Sequence, residues 1–374
     1  MLNKGLGSKI SNPARTSHLK RVSLTYMGEH RSMQMSSLET YSDYANGILV
    51  YIPCHTDFEM AKIQAVNLRN QFQSLDNQQQ SYVKKLSIVI SVNGVNLTEL
   101  EIESLESVCD ELIYTPIKIG ADLNIAQGFL KAMQEPSEFF WILSTNDQLG
   151  TRAVNDIVNT FLANPDCDLI GADENSVSRI MDVNNIIYKP INGIHFGLIS
   201  AVIYRSKNTI GNFPAALSLN WTGWGQLGVI QTACFTNNNL RVVTIPKDVL
   251  FREMAADRTD ESDELRLNSL YYSHSFFGMP LLIASLFADD RKLMRKILKS
   301  WLFSNWYKVS LFSSRPQSDD QFNGINGPYW RQSLAEDLIK ANGTFSRVIY
   351  FIGKTIDWES FKDVKIAQVI RKWF

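Results

Sequence analysis

A single carboxylate, Asp147, follows the apolar run Phe139-Phe140-Trp141-Ile142-Leu143 after three polar residues. A continuous apolar run that stops at polar residues is typical of a buried strand, and ligands of open α/β sheets bind just beyond the carboxyl ends of such strands. Asp147 would then face a bound ligand at the edge of a sheet. It could instead accept backbone N–H bonds as the cap of the next helix. The run is compatible with both roles.

The composition is that of an ordinary globular protein and excludes several classes of partner and site. Of the 374 residues 45% are hydrophobic, and 37 Lys and Arg nearly balance 38 Asp and Glu. This balance gives no electrostatic reason to expect nucleic acid as the main partner. The cysteines are far apart without a Cys-x-x-Cys pair, which argues against a zinc ribbon, gives little support for a disulfide scaffold and favours a reducing cytoplasm. They are Cys54, Cys109, Cys167 and Cys234.

The N-terminal segment 1–45 is polar and predicts a disordered tail. It lacks the compact apolar core of a secretory signal, and its scattered basic residues could be solvated or could contact an anionic membrane surface. Near the other end, the longest apolar candidate, 276–287, is shorter than the roughly 20 residues that a membrane-spanning helix needs. We therefore predict that no segment crosses a bilayer.

Strand-like and helix-like patterns alternate through the first half of the chain. Apolar residues at Ile63, Val66 and Phe72 predict the first helix. Alternating strands and helices predict a mainly parallel, doubly wound α/β sheet. Four apolar runs are the predicted strands: 47–53, 86–92, 112–117 and 139–143.

The second half of the chain has fewer regular patterns. The apolar segment 194–204 is predicted to close the far edge of the sheet. An aromatic turn with two glycines, 221–226, leads into a predicted helix. Those glycines would allow the two indoles of the turn to approach a ligand.

Beyond residue 262 the pattern becomes helical, and we place a domain boundary there, between 46–262 and a C-terminal region at 263–374. In the amphipathic stretch 292–302, basic residues recur beside apolar ones. Such a helix can lie at a membrane interface with its cations among anionic headgroups, or can pack on the protein with a solvated basic face. The basic residues are Lys292, Arg295, Lys296 and Lys299, and the apolar ones are Leu293, Ile297, Leu298, Trp301 and Leu302.

The order of these parts resembles the GT-A fold of nucleotide-sugar-dependent glycosyltransferases, in particular family 2, whose members are mostly inverting. The resemblance covers residues 46–255 and implies an α/β, Rossmann-like fold with a mainly parallel sheet flanked by helices and a C-terminal helical extension. Its most specific piece is the run up to Asp147, which resembles the family's strand that ends in an Asp-rich metal motif. The four matching pieces are Val50-Tyr51-Ile52-Pro53, Ile88 to Gly94, Gly120 to Asn124 and Phe140 to Leu149.

The resemblance implies a divalent cation, Mg²⁺ or Mn²⁺, bound by Asp147. In this chemistry the cation neutralises the charge that develops on the departing nucleoside diphosphate. Thr145 and Asn146 stand where the family often has carboxylates, so Asp147 alone remains of the acidic cluster. One protein carboxylate can still hold Mg²⁺ when substrate phosphates and water complete its octahedron.

By the same resemblance, residues at the strand ends contact the nucleotide-sugar donor. His55 could equally be a plain loop residue, and Asp122 could equally be a turn or cap residue. The acidic residue that usually closes the family's second strand is absent, with Ser91 and Val92 in its neighbourhood. The matching positions are Pro53, His55, Thr56, Asp57, Asn93, Asp122, Asn146 and Asp147.

An inverting transfer also needs a general base that deprotonates the acceptor hydroxyl. No acid lies between Leu217 and Gln231, and the candidates for the base are Glu253 and Asp173. Arg252 and Arg258 could pair with the donor diphosphate or form a solvated charge cluster. For the acceptor, the indoles of Trp221 and Trp224 could stack on a sugar face while Gln226 hydrogen-bonds a hydroxyl. Alternatively, the two tryptophans belong to the core at a domain seam.

Other catalytic motifs are incomplete or absent. Gly353-Lys354-Thr355 resembles the end of a phosphate-binding loop, but Val348 occupies the position of its first glycine, and there is no GxSxG, HExxH or strand-linked GxGxxG.

We therefore predict a cytoplasmic glycosyltransferase that transfers a sugar from a nucleotide-sugar donor to a saccharide or lipid-linked saccharide acceptor, in surface-polysaccharide assembly. The rival is a GT-A-like nucleotide- or glycan-binding scaffold protein without catalysis, which the missing acidic residues suggest.

Overall fold

The computed structural model describes most of the chain from residue 45 onward. Ala45, the last residue of the predicted tail 1–45, begins a strand, whereas residues 1–44 and the predicted domain boundary at residue 262 lie outside the described residues. These are 45–54, 57–117, 119–173, 179–181, 199–237, 240–253, 270–313 and 328–355.

Eight of the described strands form one sheet, in the order β3-β2-β1-β4-β8-β6-β9-β7, and the other two, β5 and β10, pair separately. The strands are β1 (Ala45–Cys54), β2 (Lys85–Asn93), β3 (Glu111–Thr115), β4 (Ser137–Ile142), β5 (Asp147–Leu149), β6 (Leu169–Asp173), β7 (Arg179–Met181), β8 (Val202–Arg205), β9 (Val242–Pro246) and β10 (Phe251–Glu253).

Helices separate most of these strands, and three short 3-10 turns lie at Ile199–Ala201, Ile210–Asn212 and Asn220–Thr222. The described α-helices are α1 (Phe58–Gln73), α2 (Asn77–Tyr82), α3 (Glu99–Glu106), α4 (Ala121–Gln134), α5 (Ala153–Ala163), α6 (Ser206–Thr209), α7 (Pro214–Ser218), α8 (Gly225–Thr236), α9 (Lys247–Leu250), α10 (Leu270–Leu286), α11 (Arg291–Ser313), α12 (Pro328–Ala341) and α13 (Thr344–Thr355).

The first four sheet strands confirm the predicted parallel arrangement. β1 lies parallel between β2 and β4, and β2 is parallel to β3. The apolar residues of β1, β2 and β4 are buried on both faces, as their continuous hydrophobic runs predict. Helix α4 packs closely on β1, since a Cβ at Gly128 would lie 2.7 Å from Cδ1 of Tyr51. The predicted α/β fold is therefore confirmed.

Local signals explain where several helices of this half begin. A capping box of Asp76 and Gln79 starts α2, and one of Thr98 and Glu101 starts α3. Gly120 precedes α4 with a φ of 81°, a left-handed conformation that glycine adopts without a steric cost. The burial of α1 differs from its prediction, because Ile63 and Val66 are exposed. Its buried residues are Ala61, Gln64, Ala65 and Leu68.

The segment 194–204 does not close the far edge of the sheet, and that prediction is wrong. Residues 199–201 of this segment form a 3-10 turn, and residues 202–204 belong to β8, which lies inside the sheet, antiparallel to both β4 and β6. The edges of the sheet are β3 and β7. An apolar segment with all four residues buried fits an inner strand as well as an edge strand, so the sequence pattern did not separate the two.

The C-terminal helices share one continuous apolar core with the sheet. Helix α10 packs against α11 and α12, and α11 packs against α13. In α11 four of the five apolar residues of the predicted interfacial stretch are buried inside the protein, so these four are not available to the acyl region of a membrane. These are Ile297, Leu298, Trp301 and Leu302. Among the helices that the structure describes, none is long and apolar enough to span a bilayer.

Candidate active site

The carboxyl ends of β1, β2 and β4 meet at one edge of the sheet. In the register, Pro53 lies opposite Ser91, and Tyr51 lies opposite Ile142. The polar residues that follow β4 therefore lie beside the ends of β1 and β2. This is the edge at which open α/β sheets bind their ligands.

The turn after β4 runs from Ser144 to Asp147. Asn146 is exposed, whereas Thr145 and Asp147 are buried. Asp147 does not cap the next helix, because α5 begins at Ala153 and its N-cap residue is Arg152. The helix-cap interpretation of Asp147 is therefore wrong.

Ser200 braces this turn from the second half of the chain. Its hydroxyl donates a hydrogen bond to Oδ2 of Asp147 at 2.6 Å and accepts one from the backbone N–H of Ser144 at 2.9 Å. Its carbonyl oxygen accepts a hydrogen bond from the indole N–H of Trp141 at 2.9 Å. A hydroxyl that donates to a carboxylate stabilises its negative charge and fixes its orientation.

Gln64 braces the same turn from helix α1. Its side-chain amide donates to the carbonyl oxygen of Ser144 at 2.7 Å and also to that of Asp147. The side chain is 1% exposed, so it is one of the few buried polar groups of α1. Gln64 and Ser200 together fix the backbone and the carboxylate of this turn.

Glu253 lies opposite Asp147 in the antiparallel pair formed by β5 and β10. Opposite residues of such a pair have Cα atoms ~5 Å apart. Exposed Arg252 is opposite Gln148 in the same pair. The backbone therefore brings the candidate base Glu253 beside the candidate metal ligand.

The second candidate base, Asp173, ends β6 and is fully buried. Two strand steps separate it from β4, because β8 lies between β4 and β6. The structure therefore does not bring Asp173 beside the turn that contains Asp147. Arg258 lies outside the described residues.

A buried polar network lies beneath the ends of β1 and β2. Oδ1 of Asn124 in α4 accepts hydrogen bonds from the Tyr51 hydroxyl at 2.8 Å and the Ser91 hydroxyl at 2.7 Å. Burial raises the pKa of Tyr51 well above its ordinary value, so the phenol remains a neutral donor. Nearby, Oδ1 of Asn93 accepts a hydrogen bond from the backbone N–H of Ile119 at 3.3 Å, close to the start of α4. The network links β1, β2 and α4 under the proposed donor site.

The remaining donor-side candidates have different surroundings. Asp57 is the N-cap of α1 and accepts the N–H of Met60 at 3.1 Å. Asp122 is half-buried in the first turn of α4, whose cap residue is Gly120. Burial, with the Asp57 carboxylate nearby, raises the pKa of Cys54 to about 12, so this thiol is not a nucleophile at neutral pH. His55 and Thr56 lie outside the described residues.

The aromatic turn 221–226 lies where α8 meets α10. Trp221 and Trp224 are half-buried against the core, and Gln226 is buried. Gly278 of α10 packs so closely that a Cβ there would meet the carbonyl oxygen of Thr222. The half-buried indoles fit both the core and the acceptor interpretation.

No cluster of three His, Cys, Asp or Glu side chains that could hold a metal ion occurs in the described part of the chain. A divalent cation would therefore depend on few protein ligands, with Asp147 as the braced carboxylate. Mg²⁺ is commonly held by one or two carboxylates together with substrate phosphates. The residues present fit that kind of site.

Comparison with known proteins supports the fold. No family model and no curated protein matches the chain. It is similar to the solved structure of S. aureus TarS 1-349 in complex with UDP-GlcNAc, with a TM-score of 0.50 and 13% identity over 84% of this chain and 91% of that chain. This similarity shows a GT-A-like α/β fold.

Two further solved structures have lower TM-scores. For S. aureus TarS the score is 0.48 at 12% identity, and the match covers 84% of this chain but 55% of that chain. For the mannosyltransferase PcManGT from Pyrobaculum calidifontis, in complex with GDP-Man and Mn2+, the score is 0.37 at 13% identity, over 84% of this chain and 88% of that chain.

Proposed function

We propose that this chain is a nucleotide-sugar-dependent glycosyltransferase. The observation that carries the proposal is the braced turn Ser144–Asp147 at the carboxyl ends of three parallel strands, with Glu253 in register with Asp147. A buried carboxylate that is oriented by Ser200, on a backbone turn that is held by Gln64, suits a role in which its position matters, such as holding a cation against a diphosphate. The similarity in fold to a TarS structure that contains UDP-GlcNAc supports the same function.

On the donor side, Asp147 would hold Mg²⁺ or Mn²⁺, which would stabilise the charge of the leaving nucleoside diphosphate. Exposed Asn146 can hydrogen-bond the donor from the same turn. Pro53, Asp57, Asn93 and Asp122 remain candidates for the nucleoside side, with His55 and Thr56. Arg252 and Arg258 are the cations proposed to pair with the diphosphate.

In the transfer itself, an acceptor hydroxyl oxygen forms a bond to the anomeric carbon of the sugar. The bond between that carbon and the diphosphate oxygen breaks, and the diphosphate leaves with the electron pair. The hydroxyl proton passes to a general base, for which Glu253 is the better candidate because its backbone pairs with that of Asp147. Such a displacement inverts the anomeric centre.

The acceptor that we infer is a saccharide or a lipid-linked saccharide, as in surface-polysaccharide assembly in the cytoplasm. Trp221 and Trp224 can stack on a sugar ring, because each is half-buried and keeps part of its indole at the surface. Gln226 would hydrogen-bond a sugar hydroxyl from the start of α8.

A second candidate function is a nucleotide- or glycan-binding scaffold protein without catalysis. It is favoured by Thr145 and Asn146, which stand where the family often has carboxylates, and by Ser91 and Val92 near the end of the second strand, where its usual acidic residue is absent. Slow hydrolysis of a nucleotide sugar by the purified protein separates the two, because only an enzyme with a working donor site releases the diphosphate. A scaffold protein binds the nucleotide sugar and leaves it intact.

The first experiment is a thermal-shift screen of nucleoside diphosphates and nucleotide sugars, with and without Mn²⁺. Uridine compounds come first, because the similar TarS structure contains UDP-GlcNAc. A ligand at a hundredfold excess over its Kd stabilises the folded state by about 2.7 kcal/mol. We expect a clear rise in Tm with at least one nucleoside diphosphate. No rise with any of them at millimolar concentration would contradict the donor site.

A further inference from the structure

Two neighbouring helices, α11 and α13, concentrate positive charge in a chain that is otherwise balanced. Together they contain eight Lys and Arg and no Asp or Glu, whereas the whole chain has a net charge of −1. The two helices pack against each other. The six of these side chains that the structure describes are all exposed: Arg291, Lys292, Arg295, Lys296, Lys299 and Arg347.

The apolar residues of the two helices are distributed in different ways. In α11, Ile297, Leu298, Trp301 and Leu302 are buried in the core, and the four basic residues between 292 and 299 are exposed. Helix α13 instead has large apolar side chains at the surface. They are Phe345 (43% exposed), Val348 (50%), Phe351 (67%) and Ile352 (37%).

Direct contacts join the basic residues of α11 to the apolar residues of α13. Nζ of Lys299 lies 4.2 Å from the ring centroid of Phe345. Phe345 also contacts Phe303 of α11, with 6.2 Å between the ring centroids. One turn earlier, the side chain of Asn342 donates a hydrogen bond to the carbonyl oxygen of Arg295 at 3.3 Å. We call the exposed basic residues of α11 and the exposed apolar residues of α13 together the α11/α13 face, formed by Lys292, Arg295, Lys296, Lys299, Phe345, Val348, Phe351 and Ile352.

We propose that the α11/α13 face docks on an anionic phospholipid bilayer. Exposed aromatic and branched side chains enter the boundary between headgroups and acyl chains, while neighbouring lysines and arginines contact anionic headgroups. Charge complementarity thus favours an anionic surface as the partner. The large exposed apolar residues favour a lipid bilayer over nucleic acid, because nucleic acid is bound mainly by cations that contact its phosphate backbone. This docking is independent of the glycosyltransferase proposal, since it uses no residue of the candidate active site.

The test is flotation of the full chain with vesicles of phosphatidylcholine alone or with phosphatidylglycerol. We expect the protein to float with the anionic vesicles at low salt, to lose binding as salt rises, and to stay at the bottom with the neutral vesicles. Lys292→Glu with Lys296→Glu should lower the bilayer partition coefficient by more than about tenfold, because each cation near the surface contributes about fivefold. Val348→Ser with Phe351→Ser should also lower it.

Matched controls come from exposed residues of the first half. Lys84→Glu with Lys85→Glu makes the same charge change, and Ile63→Ser with Val66→Ser removes residues that are similarly exposed, at 49% and 43%. These variants should float like the parent, and all four should keep the parent's Tm. The proposal is overturned if the parent does not float, or if the controls lose as much binding as the α11/α13 variants. If the parent does not float but forms a dimer, and Val348→Ser dissociates that dimer, the face binds a second copy of this chain instead.

Discussion

One half of the sheet, β3-β2-β1-β4, is parallel throughout, and a helix follows each of its inner strands. The other half, β8-β6-β9-β7, mixes directions, because β8 is antiparallel to β4 and β6, and β7 is antiparallel to β9. The parallel half ends in the turn that contains Asp147. The mixed half supplies Ser200, just before β8, and β10 supplies Glu253 opposite Asp147.

The difference between the halves shows how the candidate site is divided. Parallel strands bring several carboxyl ends to one edge, which suits the recognition of a donor that extends across them. Strand β8 and the β5–β10 pair instead bring segments that are distant in the sequence to one residue, Asp147. We therefore expect the parallel half to bind the donor and the second half to position the groups that act on it.

The largest effect should come from Asp147, where the two halves meet. Asp147→Asn keeps the shape of the side chain and an oxygen that can accept from Ser200, but it removes the negative charge. We expect sugar transfer or donor hydrolysis to fall by about 10²–10³-fold, as when one group that stabilises transition-state charge is removed. The Tm should stay within a few degrees. Activity with a series of nucleotide sugars, together with thermal unfolding, measures both.

Glu103→Gln is the control for this change, since it neutralises an exposed acid of α3. It should leave activity unchanged. If Asp147→Asn instead unfolds the protein readily and its remaining folded fraction is fully active, Asp147 is a structural residue. The division of the site between the two halves would then have no support.

The parallel half is the part that the sequence predicts well. Three of its four strands, β1, β2 and β3, are followed directly by a helix, so a local pattern carries both elements and their order. The position of β8 was not predictable in that way, because an inner antiparallel strand depends on partners far away in the sequence. The pairing of Glu253 with Asp147 is of the same long-range kind.

The site residues that the sequence missed share a physical reason. Gln64 lies on the buried face of α1, where exposed Ile63 and Val66 gave a misleading apolar signal. Ser200 acts through its hydroxyl and Asn124 through its side-chain amide, and neither residue type stands out in a sequence. Such bracing residues become visible only when the atoms that they contact are known.

A smaller effect, mainly on stability, should come from Gly150, which joins β5 to the second half. Its N–H donates to the carbonyl oxygen of Leu250 at 2.8 Å, and a Cβ at this position would meet the carbonyl oxygen of Val249. Gly150→Ala should therefore cost about 1–3 kcal/mol of folding free energy, as overpacking does. Chemical denaturation measures this loss, and activity should fall because the β5–β10 pair shifts.

Gly211→Ala is the matched control, because a Cβ at Gly211 would meet nothing within 4 Å. It should be neutral or slightly stabilising, since alanine restricts the unfolded chain. Equal stability of the two variants would mean that α9 and β10 do not approach β5 closely. The register of Glu253 with Asp147 would then lose its basis.

Ser200 should affect catalysis less than Asp147 does, because it acts on the chemistry only through Asp147. Ser200→Ala removes the hydroxyl that donates to the carboxylate at 2.6 Å, and a hydrogen bond to a charged group contributes about 1.5–3 kcal/mol. We expect roughly tenfold lower kcat and a higher Mn²⁺ concentration for half-maximal activity. Ser206→Ala is the control, since Ser206 is equally buried and its hydroxyl makes no hydrogen bond within the described residues. A loss of stability without any change in metal dependence would make Ser200 a packing residue, and the second half would then contribute to the site through β10 alone.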